Sequence, residues 1–195
     1  SLLGQIFRDA GRQTHVVGNI GYPYSAAALT AKDTDVVVCE VSSFQMETAE
    51  TFHPCIAAFT NLTEDHLNRH GTMENYALTK MRMFQNMTAE DVAVFNADDP
   101  VLVPYIPMVK AQVMLFSRKQ EVENGAFVRD GVIMTRFSGA ETAVCPAADV
   151  YIPGPHNLEN ALAAACMATA CGVSAEVIAH TLRTFRGVEH RIEFV

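Results

Sequence analysis

A carboxylate stands at the end of one of the short apolar runs in this chain. Glu40 follows four apolar residues at positions 36–39. A carboxylate at the end of a buried strand suits a divalent cation such as Mg²⁺, which prefers oxygen ligands. The alternative is a strand-end Glu that caps the next helix or faces solvent. Position alone leaves both interpretations open.

Two histidines lie close together in the segment that follows another apolar run. His66 and His70 are spaced i, i+4, so on a helix they could share a zinc ion. Leu67 follows His66, where the HExxH motif of a metalloprotease has its general-base Glu. Taken by itself, the segment is better explained as a polar loop, with Asp65 beside His66, that leads into the next helix.

Lys80 lies in a helical pattern between two aromatic residues. Tyr76 and Phe84 stand at i−4 and i+4, so the spacing places Lys80 on or near a buried face. Most lysines in such a position extend past the apolar surface to solvent. A lysine held partly buried near a metal loses its proton more easily, which would open its amine to covalent modification.

Two asparagines begin an alanine-rich helical pattern. Asn157 and Asn160 follow Gly154 and Pro155. The free amides at a helix start attract anions, and asparagine side chains offer paired donors and acceptors that suit a purine edge. Asn157 could also simply cap the helix.

The elements that must position these residues alternate between strand and helix patterns. This alternation predicts an α/β domain with a mostly parallel sheet and helices on both faces. An Asp130-Gly131 turn between apolar runs predicts a small antiparallel hairpin. Ligands bind beyond the carboxyl ends of parallel strands, so the polar residues after each strand are expected to converge there. The predicted strands are 14–17, 35–40, 55–60, 91–96 and 111–116. The predicted helices are 1–10, 72–87, 157–171 and one capped by Ser174, and residues 98–100 are predicted as a turn and helix start.

Composition narrows the functional class. The 195 residues favour one large domain, and 49% hydrophobic with 18% charged residues argue against disorder. A net charge of −8 argues against nucleic acid or an acidic membrane as a partner. Five cysteines without a CxxC pair indicate buried thiols in a reducing cytosol, so a cytoplasmic protein is expected. We also expect a monomer.

Six motifs occur in the order of the Mur ligase family, and the chain resembles that family over essentially its whole length. Ser42-Ser43-Phe44-Gln45 is similar to the member that adds D-glutamate and differs from other members and from folylpolyglutamate synthases. The motifs are Gly18-Asn19-Ile20-Gly21, Glu40 to Glu47, Asn61 to His70, Tyr76 to Lys80, Gly154 to Ala161, and Gly187 to Arg191.

The resemblance implies a P-loop NTPase-like central domain of an ATP-dependent amide ligase. ATP would phosphorylate the carboxylate of UDP-N-acetylmuramoyl-L-alanine, and the amine of D-glutamate would attack the acyl phosphate. Two Mg²⁺ ions would neutralise charge around the transferred phosphoryl group.

The resemblance also assigns roles to the metal-site residues. Glu40 should bind one Mg²⁺ and His66 the second. Lys80 matches the family's carbamylated lysine, whose carbamate adds an anionic ligand near the second ion. Lys80 and His66 are therefore the expected catalytic residues.

The same resemblance assigns substrate and nucleotide contacts. Asn19 and Ser42 match positions that touch the muramoyl-peptide substrate. Asn157 and Asn160 match nucleotide-side positions, with Asn160 near adenine, and Arg191 matches the arginine that reaches the ATP phosphates.

Three departures qualify the resemblance. None of the four lysines follows a glycine, so the G-x-x-x-x-G-K-[ST] phosphate loop is absent and is expected just upstream of Ser1. Residues 1–186 would form the central domain and residues 187–195 the start of a linker to a further ligase domain. Asn68 stands where the family more often has Asp.

The isolated chain is expected to be inactive. One alternative is a non-catalytic module that binds a nucleotide or a partner. The other is a different Mur ligase or a folylpolyglutamate synthase.

Overall fold

The computed structural model describes residues 1–187 of the chain. Within them, helices and strands alternate along most of the sequence. The strands are β1 (Thr14–Gly18), β2 (Val36–Glu40), β3 (Ile56–Phe59), β4 (Val92–Asn96), β5 (Gln112–Ser117), β6 (Gly125–Arg129), β7 (Val132–Phe137) and β8 (Ala140–Pro146). The helices are α1 (Leu2–Asp9), α2 (Tyr24–Ala27), α3 (Ser43–Met46), α4 (Leu67–His70), α5 (Met73–Met81), α6 (Pro155–Ala170) and α7 (Ala175–Thr184).

The strands form two sheets. β1 and β2 make a parallel pair, and β3 to β8 make a six-stranded sheet in chain order. The large sheet is parallel from β3 to β6 and antiparallel from β6 to β8. The predicted mostly parallel α/β architecture is confirmed, but the pattern of the sequence did not indicate the division into two sheets.

The predicted hairpin is present and continues into a third strand. Asp130 and Gly131 both have positive φ, at 49° and 76°, which is the geometry of a type I′ turn between β6 and β7. β8 then pairs with β7. Because β8 is mostly exposed, it lacks the buried apolar run from which the other strands were predicted.

Two hydrophobic cores cover the two faces of the large sheet, as β4 shows. Val92 and Val94 belong to the core that contains α1, α6 and α7. Ala93 and Phe95 belong to the core that contains residues of α3 and α5. Alternate residues of a strand point to opposite faces, so helices cover both faces as predicted. Each fully buried large side chain contributes about 1.5–3 kcal/mol to this packing.

α1 joins the small sheet to the main core. It contacts β1 and β2 on one side and α6 and α7 on the other. Gly4 makes the close approach possible, because a Cβ built there would collide with Val16 of β1. α1 therefore holds the small sheet against the main core of the domain.

Several predictions of element boundaries, and the prediction that the cysteines are buried, are wrong in part. The helix predicted over 72–87 ends at Met81 and continues as a 3₁₀ turn, Arg82–Phe84. The turn predicted at 98–100 is present, but the helix start predicted with it is not, since the next helical segment is the 3₁₀ helix Val103–Met108. Cys55 is exposed, contrary to the prediction of buried thiols, whereas Cys145 and Cys166 are buried. In residues 1–187 no helix is both long and apolar enough to cross a bilayer.

Candidate functional site

The polar segments after β3 and β4 are tied together at the carboxyl edge of the large sheet. The Asn96 side-chain amide donates to the carbonyl of Thr60 at 3.1 Å. The backbone N–H of Leu62 donates to Asp99 Oδ2 at 2.9 Å. Two of the polar clusters predicted from the sequence therefore meet, as expected for neighbouring parallel strands.

The same edge extends through β5 to the start of α6. Ser117 Oγ donates to Asp98 Oδ1 at 2.6 Å, and the N–H of Arg118 donates to Asp98 Oδ2 at 2.8 Å. The Arg118 guanidinium then donates to Glu159 Oε1 on α6 at 2.7 Å. The pairing of Arg118 with Glu159 was not predicted, because it spans 41 residues and leaves no short motif in the sequence.

Asn157 and Asn160 lie in the first two turns of α6, at the same edge of the sheet. Asn157 Nδ2 donates to the carbonyl of Pro153 at 2.7 Å, which fastens the preceding loop to the helix. Gly154, with φ +106°, immediately precedes the helix, and Asn160 is exposed one turn from its start. Arg191 lies outside the described residues, as does the predicted linker beyond residue 187.

Glu40 lies at the carboxyl end of the small sheet, with its side chain exposed. Its carbonyl accepts a hydrogen bond from the N–H of Asn19 at 2.8 Å. Gly18 is its partner in the β1–β2 register and has φ +115°. A Cβ on Gly18 would collide with the Glu40 carbonyl oxygen. Glycine at position 18 therefore lets the two predicted residues, Asn19 and Glu40, lie side by side.

Ser42, two residues after Glu40, caps α3. Its hydroxyl accepts from the N–H of Gln45 at 3.3 Å, and its own N–H donates to Gln45 Oε1 at 2.8 Å. This reciprocal pairing is a capping box. The predicted substrate residue thus also determines where α3 begins, and the capping box was not anticipated.

His66 occupies an unusual backbone conformation at the start of α4. Its φ is 53°, in the left-handed region that few non-glycine residues adopt. Its N–H donates to Asp65 Oδ1 at 2.7 Å, and its Nε2 lies 3.3 Å from Asp65 Oδ2. The ring lies 4.9 Å from that of Phe44. Strained residues of this kind concentrate at functional sites.

Lys80 is half-buried on α5, as predicted. Its Nζ lies 5.1 Å from the ring centroid of Tyr76 and 5.8 Å from that of Phe59. Burial lowers the pKa of Lys80, and the nearby Glu40 and Asp65 carboxylates oppose this shift. Glu40 is the last residue of β2 and Asp65 follows β3, so carboxylates associated with both sheets act on one amine. Within residues 1–187 this amine has no hydrogen bond or ion pair.

The donors around Lys80 fit Mg²⁺ better than zinc. Glu40 and Asp65 offer oxygens and His66 an imidazole, but no three His, Cys, Asp or Glu side chains in residues 1–187 form a cluster that could hold a metal by themselves. Mg²⁺ is commonly held by one or two carboxylates together with phosphates and water. His70 Nε2 contacts Ser43 Oγ at 3.0 Å, so in this conformation that nitrogen is not available to share a zinc ion with His66.

These features define an α/β domain whose candidate ligand-binding groups lie at the carboxyl edge of its parallel strands. The model of the Mur ligase middle domain matches residues 1–168. The chain belongs to the Mur ligase family and corresponds to its middle domain.

Similar proteins agree with this assignment. The chain is 51% identical over 195 residues to the UDP-N-acetylmuramoylalanine–D-glutamate ligase of Caldanaerobacter subterraneus subsp. tengcongensis, and spans 42% of that protein. It is 44% identical to the ligase of the same name from Clostridioides difficile, of which it spans 43%. The chain therefore covers less than half the length of these curated relatives.

Solved structures show the same fold. All of the chain superposes on 45% of a UDP-N-acetylmuramoyl-L-alanyl-D-glutamate–2,6-diaminopimelate ligase, with a TM-score of 0.76 and 22% identity. A MurF ligase from Thermotoga maritima in complex with ADP matches 96% of the chain over 46% of its own length, with a TM-score of 0.65 and 19% identity.

Proposed function

We propose that this chain is the central domain of an ATP-dependent ligase that joins D-glutamate to UDP-N-acetylmuramoyl-L-alanine in peptidoglycan synthesis. The observation that carries the proposal is the half-buried amine of Lys80, on which the Glu40 and Asp65 carboxylates act, with His66 directly beside Asp65. Identity of 44–51% to ligases of that name supports the choice of amino acid. Cytoplasmic location and a monomeric state are part of the same proposal.

In the proposed reaction, the γ-phosphoryl group of ATP passes to the carboxylate of the muramoyl-alanine substrate. The D-glutamate amine then attacks the acyl phosphate, so an amide bond forms and phosphate leaves. Glu40 would hold one Mg²⁺ and His66 the second. When bound, these ions would supply the positive charge that a transferring phosphoryl group requires.

Lys80 is proposed to react with CO₂. A bond forms between Nζ and the carbon of CO₂, one proton leaves, and the product is an anionic carbamate. The lowered pKa raises the fraction of neutral amine that can react. Glu40 and Asp65 favour the ammonium form, so cations bound to these carboxylates would further favour carbamylation.

Substrate and nucleotide contacts are assigned along the same edge. Asn19 and Ser42 are proposed to contact the muramoyl-peptide. The Ser42 hydroxyl would give up its 3.2 Å hydrogen bond to Gln45 Oε1 and bind the substrate instead. Asn157 and Asn160 are proposed on the nucleotide side, where the free amides of the α6 N-terminus favour anions. Arg191 is proposed to reach the ATP phosphates.

The test is ATP-dependent incorporation of labelled D-glutamate into UDP-N-acetylmuramoyl-L-alanine by the intact protein. Glu40→Gln should abolish ligation and weaken Mn²⁺–ADP binding. Glu90→Gln is the matched control, because Glu90 is exposed just before β4, at the opposite ends of the strands.

Each alternative outcome has its own interpretation. Ligation of a different amino acid would indicate another Mur ligase and refute the choice of D-glutamate. Nucleotide binding without turnover by the intact protein would favour the non-catalytic module. The 195 residues by themselves are expected to give no ligation, and ligation by them would refute that part of the proposal.

A further inference from the structure

The proposed metal ligands lie on different sheets. Glu40 ends β2 in the two-stranded sheet, and His66 follows β3 in the six-stranded sheet. No strand pairing joins β2 to β3 within residues 1–187. Besides α1, which joins the small sheet to the main core, contacts between the segments that follow the two strands, α3 and α4, set the separation of Glu40 and His66.

A buried hydrogen bond joins α3 to α4. Ser43 Oγ lies 3.0 Å from His70 Nε2, and the two residues are 2% and 9% exposed. Ser43 comes three residues after Glu40, and His70 comes four after His66. Its burial prevents the Ser43 hydroxyl from reaching a substrate, so this pair has no evident use as a nucleophile and base.

His70 also contacts α5, which carries Lys80. Its carbonyl accepts from Asn75 Nδ2 at 3.1 Å, and its ring lies 5.0 Å from that of Tyr76. The Tyr76 ring in turn lies 5.1 Å from Lys80 Nζ. His70 is therefore a common neighbour of all three segments that carry proposed metal-site residues.

Surface contacts reinforce the same junction. Arg69 donates from Nε and Nη2 to the two carboxylate oxygens of Glu47, at 3.1 and 2.6 Å. The Arg69 guanidinium also lies over the ring of Phe44, at 5.6 Å from its centroid. An exposed ion pair of this kind contributes little by itself. The buried Ser43–His70 bond is therefore the stronger candidate for fixing the geometry.

We propose that Ser43 and His70 are positioning residues, here called the α3–α4 clamp, that fix the separation of Glu40 and His66 and so determine metal–nucleotide affinity. The inference rests on the proposed function. Residues that orient metal ligands typically change metal affinity about 10–100-fold when mutated. The clamp is therefore expected to act on metal binding beyond any effect on stability.

The experiment uses the intact protein with Mn²⁺ and ADP as probes, and follows Mn²⁺ by electron paramagnetic resonance. His70→Phe alone leaves the buried Ser43 hydroxyl unpaired and should lower Tm. The double variant Ser43→Ala/His70→Phe removes both partners and should regain much of that Tm. Its Mn²⁺ affinity in the presence of ADP should nevertheless stay about tenfold or more below wild type, and the Mg²⁺ concentration for half-maximal ligation should rise by the same factor.

Thr181→Val is the matched control, because it removes another buried hydroxyl contact, from Thr181 Oγ1 to Asp9 Oδ2 at 2.6 Å, far from the clamp in sequence. It should lower Tm without changing Mn²⁺ affinity. If Mn²⁺ affinity in the double variant recovers together with Tm, the clamp is merely structural and the inference is overturned. If the wild-type protein binds no Mn²⁺ with ADP, the proposed function fails, and the inference fails with it.

Discussion

Replacing Gly18 with alanine tests how closely β1 approaches β2 beside Glu40. The φ of Gly18 is +115°, and its Cβ would meet the Glu40 carbonyl and lie 2.9 Å from Cys39 Sγ. Backbone strain at such an angle costs about 1–3 kcal/mol. Forcing the strands apart adds about 1–3 kcal/mol, so the free energy of unfolding should fall by about 2–6 kcal/mol. At about 2–4 °C per kcal/mol for a domain of this size, Tm should fall by roughly 4–24 °C.

The assay is a thermal melt of the intact protein, followed by Mn²⁺–ADP binding at a temperature where both proteins are folded. Gly11→Ala is the control, since Gly11 has φ +75° with nothing within 4 Å of its Cβ. The Gly11→Ala variant should lose only about 1–2 kcal/mol of unfolding free energy to backbone strain, and its Mn²⁺ affinity should equal that of the wild type. Equal losses of Tm in the two variants, with unchanged Mn²⁺ affinity in both, would show that contact between residues 18 and 40 does not position the carboxylate.

Three further substitutions test separate features. Lys80→Met keeps the packing but removes the half-buried charge, so Tm should stay the same or rise. Ligation should be lost, and so should the carbamate signal measured by NMR with ¹³C-labelled CO₂. Hydrogen bonding to Arg129 lowers the Glu121 pKa from 4.5 to about 2. Its stabilisation is present above pH 4.5 and is lost as pH falls towards 2, so Glu121→Gln should flatten the dependence of Tm on pH in that range. Ser42→Ala removes the α3 cap, at a cost of about 1 kcal/mol measured by urea unfolding, and should raise the KM for the muramoyl substrate.

The sequence predicted elements with a strong local pattern. α6 was predicted from its alanine-rich run, and β4 from a run whose five strand residues all prove buried. Glu40 was singled out because a carboxylate directly after an apolar run contradicts the pattern around it. In each case the signal lies within one short window of the chain.

The features that were missed depend on contacts distant in sequence. α3 and α4 have four residues each, too few to show a helical period. The Ser43–His70 bond spans 27 residues, and the segment containing His70 was interpreted as a polar loop, with a zinc site shared with His66 as the lesser alternative. The separation of β2 from β3 could not be predicted, because no local pattern specifies which strands pair.

Under the proposed function, the arrangement around Lys80 would link its carbamylation to metal binding. Carbamylation would convert a half-buried cation into an anion beside the Glu40 and Asp65 carboxylates, in a chain whose net charge is already −8. Three neighbouring anions repel one another, and burial weakens their screening by water. Divalent cations would relieve that repulsion, so metal binding should favour the carbamate. Linkage then requires CO₂ to raise Mn²⁺ affinity by the same factor. Mn²⁺ affinity that does not change with CO₂ concentration would show that Lys80 lies outside the metal site.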